Sequence, residues 1–428
     1  MARPAERKER RRLNVLSRDF FPAYVVWELT LACDHACTHC GSRAAVKRET
    51  ELTTAEALGV VAELAAMKTR EVVLIGGEAY LHEGFLEIVS ALARAGIHPT
   101  MTTGGFGVDE ALARKMKAAG LRQVSVSVDG LEETHDRMRA KRGSFAAAMR
   151  ALENARAAGI EITANTNVNR FNRGDLEALY GVLRDKGIVA WQVQITTPLG
   201  RAADRTNMVL QPYDLLDLVP RVAALKLRAI EDGIQILPGN NLGYFGPEEA
   251  LLRSPIDAAN PTGGSDHWAG CQAGRYVLGI ESDGAVKGCP SLQTKSYVGG
   301  HLPARSLAAI WGETSELAFT RDRTTDNLWG WCKTCPFASV CLGGCSFTAH
   351  AVFGRPGNNP YCHFRARTLA RDNLRERLVP ATPAEGTPFD NGTYDVVVEP
   401  LDASEPAVPR EELVRITRRP RRGAEDAR

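Results

Sequence analysis

The sequence predicts an α/β fold, in which a partial (β/α)6 barrel of the TIM type is followed by a small cysteine-rich extension. Six strand-like runs alternate with helical patterns between about residues 23 and 236. Several of the helical patterns end on a glycine, such as Gly96 and Gly120, as helices commonly do. Alternation of this kind favours a parallel sheet with helices outside it. It fits an open doubly wound sheet equally well, and the sequence alone does not separate the two.

The individual elements follow from strand-like apolar runs and from apolar residues that recur at three- and four-residue steps. The predicted strands are Val25–Leu29, Glu71–Ile75, His98–Thr103, Gln123–Val128, Glu161–Val168 and Ala190–Thr196. The predicted helices are Thr54–Lys68, Gly84–Ala95, Asp109–Ala119, Phe145–Ala158, Asp175–Lys186 and Leu215–Glu231. In both sheet types a ligand binds at the carboxyl ends of the strands, so we expect the functional site there.

Length and composition exclude several classes of protein. With 428 residues and 44% hydrophobic content, the chain can form one large domain and a smaller one. A formal net charge of +2 gives no reason to expect nucleic acid or an anionic membrane as the main partner. No apolar run approaches the roughly 18 residues of a spanning helix, and the N-terminus lacks a secretory signal. We therefore expect a cytoplasmic protein.

Composition shifts along the chain predict five segments. They are a charged tail (1–22), a barrel core (23–237), a linker or loop (238–266), a cysteine-rich domain (267–378) and a largely disordered C-terminal tail (379–428). The cysteine-rich domain is expected to end in a helix, Phe364–Leu378, and only Tyr394–Glu399 looks like a strand in the tail. The Arg-rich end of that tail is interpreted as solvated.

Three cysteines follow the first predicted strand, namely Cys33, Cys37 and Cys40. Three thiolates are too few for a closed zinc site, which has four ligands. They suit a 4Fe–4S cluster with one iron left open, and an open iron can hold a substrate or a cofactor. This spacing therefore indicates chemistry rather than a purely structural metal.

Seven more cysteines lie after residue 270, and in a cytosolic protein such a group indicates metal sites. They are Cys271, Cys289, Cys332, Cys335, Cys341, Cys345 and Cys362. A zinc ribbon would explain Cys332 and Cys335 but not all seven. Independent buried thiols would have no reason to lie so close together in the sequence.

Small polar groups end several of the predicted strands. Gly76-Gly77-Glu78 follows the second strand, where two glycines let the backbone approach a ligand and a carboxylate can pair with an ammonium group. Ser127 and Asp129 end the fourth strand, and Asn167 lies on the fifth. Together these groups line one rim, which suits a ribose and an amino-acid moiety.

These motifs make the chain resemble the radical S-adenosylmethionine enzymes. The resemblance rests on the spacing of Cys33, Cys37 and Cys40, on Gly76-Gly77-Glu78, and on Ser127-Val-Asp129-Gly130. The segment 136–145, Asp-Arg-Met-Arg-Ala-Lys-Arg-Gly-Ser-Phe, is also typical of the family. The chain departs from the family at Ala79, where a proline is usual, and this should alter turn stiffness more than ligand contact.

The resemblance implies the roles of the site residues. The three cysteines would bind a 4Fe–4S cluster whose open iron chelates S-adenosylmethionine, which is then cleaved to a 5′-deoxyadenosyl radical that abstracts a hydrogen atom. Gly76, Gly77, Glu78, Asp129, Ser127 and Asn167 would form the cofactor site. Glu78 would hold the amino group, and Ser127 and Asn167 would lie near the ribose and the carboxylate. His39 would flank the adenine, or it is a solvated loop histidine. No general base is assigned.

The second half is similar to the SPASM extension of that family. By this resemblance one auxiliary 4Fe–4S cluster would be bound by Cys332, Cys335, Cys341 and Cys362. Another would be bound by Cys271, Cys289 and Cys345. Because seven cysteines cannot supply eight ligands, this second cluster has an open iron, a non-cysteine ligand or fewer irons. Pro290 follows Cys289 where sulfatase-maturing members have an acidic residue, which counts against that activity.

The resemblance implies a radical SAM/SPASM enzyme that acts on a short ribosomal peptide, installing a crosslink or thioether or oxidising a side chain. Expected partners are that precursor peptide, a separate leader-recognition protein, and an electron donor such as flavodoxin or ferredoxin. Oxidation of a small molecule or of a tetrapyrrole side chain is the alternative, for which Leu242, Tyr244 and Phe245 could cover a porphyrin. A non-catalytic iron–sulfur electron carrier is a more distant alternative, since Glu78 and Ser127 would then have no use.

Overall fold

A computed structural model describes residues 19–254, 267–268 and 270–404. Its main feature is a ten-stranded sheet. Seven parallel strands come first, β1 (Tyr24–Glu28), β2 (Glu71–Ile75), β3 (His98–Thr103), β4 (Gln123–Ser127), β5 (Glu161–Val168), β6 (Ala190–Ile195) and β7 (Gln235–Pro238). Three strands from the second half extend the same sheet, β8 (Val277–Ile280), β9 (Ala285–Lys287) and β10 (Val298–His301).

The strand order decides between the two sheet types that the sequence left open. Strands β1 to β7 are neighbours in chain order and all run parallel. A doubly wound sheet reverses its strand order about the first strand, whereas a TIM-type barrel does not. On its other side β1 pairs with β8 rather than with β7. The core is therefore a partial barrel, as predicted.

Helices cover the outside of the barrel. They are α1 (Thr54–Ala66), α2 (Phe85–Arg94), α3 (Glu110–Ala119), α4 (Glu132–Arg139), α5 (Ser144–Ala157), α6 (Leu176–Lys186) and α7 (Leu215–Glu231). Helix α1 begins with a capping box, in which Thr53 and Glu56 satisfy each other's backbone amides. Sequence reasoning did not predict α4, whose residues are mostly charged and which lacks an apolar periodicity.

The two faces of the strands differ in chemistry. Alternate residues such as Val25 and Trp27 of β1 pack in the large core that contains the helices. The opposite face, which lines the barrel interior, carries hydroxyl and amide side chains on β3 to β6. They are Thr102, Gln123, Ser125, Ser127, Asn165, Asn167, Gln192 and Gln194. Apolar branched residues usually fill a barrel interior, so this polar lining indicates a binding cavity.

The cysteine-rich half is joined to the barrel through the shared sheet and a buried ion network. Its helices are α8 (Glu249–Arg253), α9 (Thr294–Tyr297), α10 (Leu307–Glu313), α11 (Ser315–Ala318), α12 (Ala338–Cys341), α13 (Ser346–Phe353) and α14 (His363–Arg371). Arg48 contacts Glu28 at the end of β1 at 3.2 Å and Glu281 after β8 at 2.7 Å. Glu281 also pairs with the buried Lys287 at 2.7 Å.

The prediction of a largely disordered tail was wrong for residues 379–404, although the strand predicted at Tyr394–Glu399 is confirmed. Helix α14 ends at Arg371, where Asn373 adopts a left-handed φ of 57°, and does not continue to Leu378. Strand β11 (Leu374–Thr382) then pairs antiparallel with β12 (Thr393–Pro400) along their whole length. The hairpin is held to α14 by the buried ion pair of Arg365 and Glu376 at 2.6 Å. An ordered hairpin thus replaces the start of the expected disordered tail.

Several predictions lie outside the described residues. The charged tail at 1–18, most of the predicted linker beyond Ser254, and residues 405–428 belong to this group. In the part of the chain that the structure describes, no helix is both long and apolar enough to cross a membrane.

Candidate active site and metal centres

Backbone contacts place the loop of Cys33, Cys37 and Cys40 against the end of β2. The amide of Gly77 donates to the Thr30 carbonyl at 2.7 Å, and the amide of Glu78 donates to the Ala32 carbonyl at 2.8 Å. A Cβ atom on Gly77 would collide with the Ala32 carbonyl oxygen, and one on Gly76 would collide with that of Thr30. The two glycines therefore let the cysteine loop itself approach β2, which is a different role from the approach to a ligand that the sequence suggested.

Arg201, in the segment after β6, holds the same loop from the other side. Its guanidinium donates to the carbonyls of Cys37 (3.2 Å), Arg43 (3.0 Å) and Ala44 (2.7 Å). Its backbone amide donates to the Cys40 carbonyl at 3.0 Å. Sequence reasoning missed this residue, because nothing in the local pattern indicates that the segment after β6 reaches the loop after β1.

Glu78 is buried at the carboxyl end of β2, as expected for a ligand-binding carboxylate. Thr103 donates to one carboxylate oxygen, and the amide of Gly104 donates to the other at 2.7 Å. Burial raises the pKa of Glu78 to about 7, although the hydrogen bond from Thr103 lowers it. The donor atoms of Cys33, Asp34, His35 and Glu78 all lie within 4.8 Å of one another. These atoms can also accept hydrogen bonds, so an ammonium group beside the cluster loop would fit here.

Asp129 is completely buried and forms a clamp between three segments. Its carboxylate contacts Arg139 of α4 at 2.6 Å and His39 of the cysteine loop at 3.2 Å. It also accepts from the amide of Asn167 at 2.9 Å. Burial raises the pKa of Asp129, but the Arg139 and His39 charges outweigh it and hold the pKa well below its usual range. Asp129 thus positions the loop, and both its oxygens are engaged within the protein.

Arg139 also connects Asp129 to the cysteine loop. Its guanidinium lies 3.6 Å from the sulfur of Cys37, and it is buried between that sulfur and Asp129. Charged donors near cluster sulfurs tune the reduction potential of a cluster. Sequence reasoning quoted the segment that contains Arg139 but did not assign the residue a role, since its partners come from two distant parts of the chain.

The remaining predicted residues lie on the lumen face or on the cysteine loop. Ser127 donates to the side-chain oxygen of Asn165 at 3.1 Å, and Asn165 donates to Ser125 at 3.2 Å. Asn167, two residues farther along β5, is partly exposed on the same face. His39 is nearly buried against Asp129 and is not a solvated loop residue. The structure therefore brings the predicted rim together at the carboxyl ends of the strands.

Four of the seven later cysteines surround one small apolar cavity. Cys332, Cys335, Cys341 and Cys362 line it, and the other lining side chains include Tyr244, Phe245, Trp331, Phe337 and Phe364. Phe245 stacks on Phe337 at a centroid distance of 4.4 Å. Four thiols around an apolar cavity are the donor set and the environment that a 4Fe–4S cluster requires.

The other three cysteines lie beside this cavity. Burial, with the charges of Cys271 and Cys345, raises the pKa of Cys289 to about 12. Cys271 and Cys289 pack with Tyr297 and Phe319, whereas Cys345 and Cys271 also pack in one cluster with Cys341 and Cys362. All ten cysteines lie in the described part of the chain, and each is a free thiol. Burial disfavours the thiolate form that binds iron, so a bound cluster would itself have to stabilise the thiolates.

Comparison with known proteins agrees with this arrangement. Residues 27–183 match the model of the radical SAM superfamily, and residues 271–336 match that of SPASM, an iron–sulfur cluster-binding domain. An AdoMet-dependent heme synthase of Nitratidesulfovibrio vulgaris is 26% identical over 368 residues, which is 81% of this chain and 93% of the relative. A PqqA peptide cyclase of Ruegeria pomeroyi is 27% identical over 349 residues, or 80% and 87% of the two chains.

The fold is also similar to that of a solved structure. Streptococcus suis SuiB bound to its precursor peptide SuiA superposes with a TM-score of 0.61 at 14% identity, over 79% of this chain and 75% of SuiB. SuiB has also been solved bound to S-adenosylmethionine. The chain belongs to the radical S-adenosylmethionine enzymes and carries a SPASM domain, with iron–sulfur clusters and S-adenosylmethionine as its cofactors.

Proposed function

We propose that this enzyme modifies a ribosomally made peptide, abstracting a hydrogen atom from a side chain or a Cα atom to install a crosslink, a thioether or an oxidised group. The observation that carries the proposal is the chemistry of the barrel interior. The lumen face of β3 to β6 carries only neutral amides, hydroxyls and small groups toward its carboxyl end, and strands β1 to β7 contain no Lys or Arg.

This lining suits a peptide backbone better than a tetrapyrrole. A peptide presents neutral amide donors and carbonyl acceptors, and side chains such as Gln192 and Gln194 can satisfy either kind. Gln192 is exposed on the lumen face and Gln194 is partly exposed, so both have surface for a ligand. A porphyrin with its propionate groups would instead call for Arg or Lys, the usual partners of carboxylates.

The cofactor site is proposed from the residues that the fold brings together. Cys33, Cys37 and Cys40 would hold the 4Fe–4S cluster, and Glu78 would accept the amino group of S-adenosylmethionine. When bound, these cofactors supply a 5′-deoxyadenosyl radical. Ser127 and Asn167 would lie near the ribose and the carboxylate, because both are on the lumen face at the ends of their strands.

The contacts of Asp129 with His39 and Arg139 would orient the cysteine loop in this site. His39 would flank the adenine on the loop while its ring nitrogen stays on Asp129 at 3.2 Å. Gly76 and Gly77 would shape the site by letting the loop lie against β2. With both Asp129 oxygens engaged within the protein, we assign that residue to positioning rather than to direct contact.

The auxiliary clusters are proposed in the grouping that the SPASM resemblance implies. Cys332, Cys335, Cys341 and Cys362 would bind one cluster inside the aromatic cavity. Cys271, Cys289 and Cys345 would bind the other, whose fourth coordination site is not a cysteine. These clusters would accept the electron that is released when the product radical is oxidised.

The partners are proposed from the relatives. The PqqA peptide cyclase and the SuiB–SuiA complex are named for peptides, so we infer a short precursor peptide here as well. A separate leader-recognition protein and an electron donor such as flavodoxin or ferredoxin would complete the system.

Tetrapyrrole chemistry is the second candidate, and the heme synthase relative favours it. The three loop residues that could have covered a porphyrin lie elsewhere, however. Leu242 and Tyr244 are buried, and Phe245 stacks in the four-cysteine cavity. These three residues therefore do not support a hydrophobic cover for a porphyrin.

One experiment separates the two candidates. The anaerobically reconstituted enzyme is incubated with dithionite, S-adenosylmethionine and either a short peptide encoded beside its gene or an iron-coproporphyrin. We expect a mass change in the peptide and none in the porphyrin. Deoxyadenosine without a peptide mass change, or decarboxylation of the porphyrin, would overturn the proposal.

A further inference from the structure

We infer that the C-terminal hairpin is part of the radical-generating site, because the segment that joins its strands fixes the position of the loop of Cys33, Cys37 and Cys40. We call this segment, residues 383–392, the hairpin tip. The inference concerns the family's shared chemistry and stands whether or not the substrate is a peptide.

Arg43, three residues after Cys40, is the centre of the contact. Its Nε donates to Asp390 of the hairpin tip at 2.9 Å and to the Thr387 carbonyl at 3.1 Å. Its two terminal nitrogens bind the carboxylate of Asp204, in the segment after β6, at 2.6 and 2.9 Å. One of them also donates to the Gly200 carbonyl at 2.9 Å. A planar guanidinium suits paired contacts of this kind, and here it joins three separate segments.

The backbone of the hairpin tip makes contacts of its own. The amide of Phe389 donates to the Gly41 carbonyl at 3.0 Å, and the amide of Gly200 donates to the Asp390 carbonyl at 2.7 Å. Arg43 has a left-handed φ of 53°, which a non-glycine residue keeps only where its surroundings determine it strongly. The cysteine loop, the segment after β6 and the tip therefore form one connected unit.

The tip also touches the SPASM extension. The ring of Phe389 is buried, and the Nζ of Lys287 lies 3.8 Å from its centroid. Lys287 ends β9, two residues before Cys289. The base of the hairpin is tied to the barrel by Gln211, whose side chain accepts from the amide of Leu378 at 2.7 Å. One short segment thus contacts both cysteine regions, which a surface appendage would not do.

The test is Asp390→Asn in the full-length reconstituted enzyme, with two readouts. Loss of the ion pair should make the backbone amides of residues 33–45 exchange with deuterium about tenfold faster or more. It should also change the EPR line shape of the reduced cluster when S-adenosylmethionine is added. Asp390→Glu, which keeps the charge, should restore part of both signals.

Glu385→Gln is the matched control, because Glu385 lies on the same tip but, among the described residues, its ion pair is with the exposed Lys295 at 2.9 Å. It should leave both readouts unchanged. If Asp390→Asn does not fold, Asp390→Glu keeps the test decisive, because its longer side chain should still speed exchange at residues 33–45 relative to the wild type. The inference is overturned if residues 374–400 exchange faster in Asp390→Asn while residues 33–45 and the EPR spectrum stay as in the wild type. It is also overturned if Asp390→Asn changes exchange at residues 33–45 no more than Glu385→Gln does.

Discussion

The loop of Cys33, Cys37 and Cys40 and the four-cysteine cavity of the SPASM domain hold their thiols in opposite environments. Around the loop lie buried charges, namely Glu78, Asp129 and Arg139. Around the cavity lie mainly aromatic rings, among them Phe245 and Phe337. The first environment has fixed charges with which to bind and orient a charged cofactor, as catalytic sites do. The second is lined mainly by apolar groups, which suits a site that transfers electrons.

The largest expected loss of stability comes from removing the charge beside Cys37. In Arg139→Met the buried Asp129 loses its closest cation, and we expect the free energy of unfolding to fall by about 3–5 kcal/mol. Urea denaturation of the reconstituted protein measures this change. The control is Arg137→Met on the same helix, where an exposed pair with Glu133 is lost and the cost is about 0.5 kcal/mol or less. Equal losses in the two variants would show that the clamp does not stabilise the loop.

The ion network that joins the barrel to the cysteine-rich half contains Glu28 and should make the stability of the protein depend on pH. Burial raises the pKa of Glu28 from its ordinary 4.5 to about 7, although Arg48 lowers it. The unfolded chain then loses this proton at a lower pH than the folded chain does. Raising the pH from 5 to 7 therefore favours unfolding, by at most about 1.4 kcal/mol per pH unit.

Glu28→Gln has no titratable group at residue 28. The thermal midpoint of this variant, relative to that of the wild type, should therefore rise as the pH increases from 5 to 7. Above pH 7 the difference between the two should stay constant. Parallel curves across the whole range would mean that Glu28 is ionised in the folded protein at pH 5.

The charged residues around the loop of Cys33, Cys37 and Cys40 should also determine the affinity for S-adenosylmethionine. Glu78→Gln removes the charge that we assign to the amino group of S-adenosylmethionine, and we expect binding to weaken about 10- to 100-fold. Equilibrium dialysis with the reconstituted enzyme measures it. Glu83→Gln is the matched control, since Glu83 is exposed on the same segment. Affinity that is equal in the two variants would remove Glu78 from the site.

The smallest effect should come from the aromatic cavity. Phe337→Leu keeps an apolar side chain but loses the stacking on Phe245 and the edge contact with Phe364 at 4.9 Å. We expect a loss of about 0.5–1.5 kcal/mol in stability with no change in S-adenosylmethionine affinity. A weakened affinity would contradict the separation between the two regions.

The sequence could predict the features whose determinants are local. The cysteine spacings, the strand ends and the helix-ending glycines are each contained in a few residues, and the parallel α/β sheet and the polar rim follow from them. The strand order was not predictable in this way. Strand order distinguishes the barrel from a doubly wound sheet. It depends on which face of the sheet each helix covers.

Features that join distant segments were beyond sequence reasoning. The clamp brings together His39, Asp129 and Arg139, and no spacing rule links their positions. The hairpin was missed because Leu374–Leu378 has a helix-like composition, and its pairing partner lies beyond a ten-residue connection that contains Asp390. Gly76 and Gly77 were found, but only the collision with the Thr30 and Ala32 carbonyls shows what they accommodate.

The most direct test of the contrast between the two regions is deoxyadenosine formation in two single variants. Cys37→Ala and Cys335→Ala are reconstituted anaerobically and supplied with dithionite and S-adenosylmethionine. We predict that Cys37→Ala forms no deoxyadenosine above background, whereas Cys335→Ala still forms it while containing less iron than the wild type. Cofactor cleavage that survives in Cys37→Ala, or that is lost only in Cys335→Ala, would contradict the assignment of the radical-generating site to the polar loop.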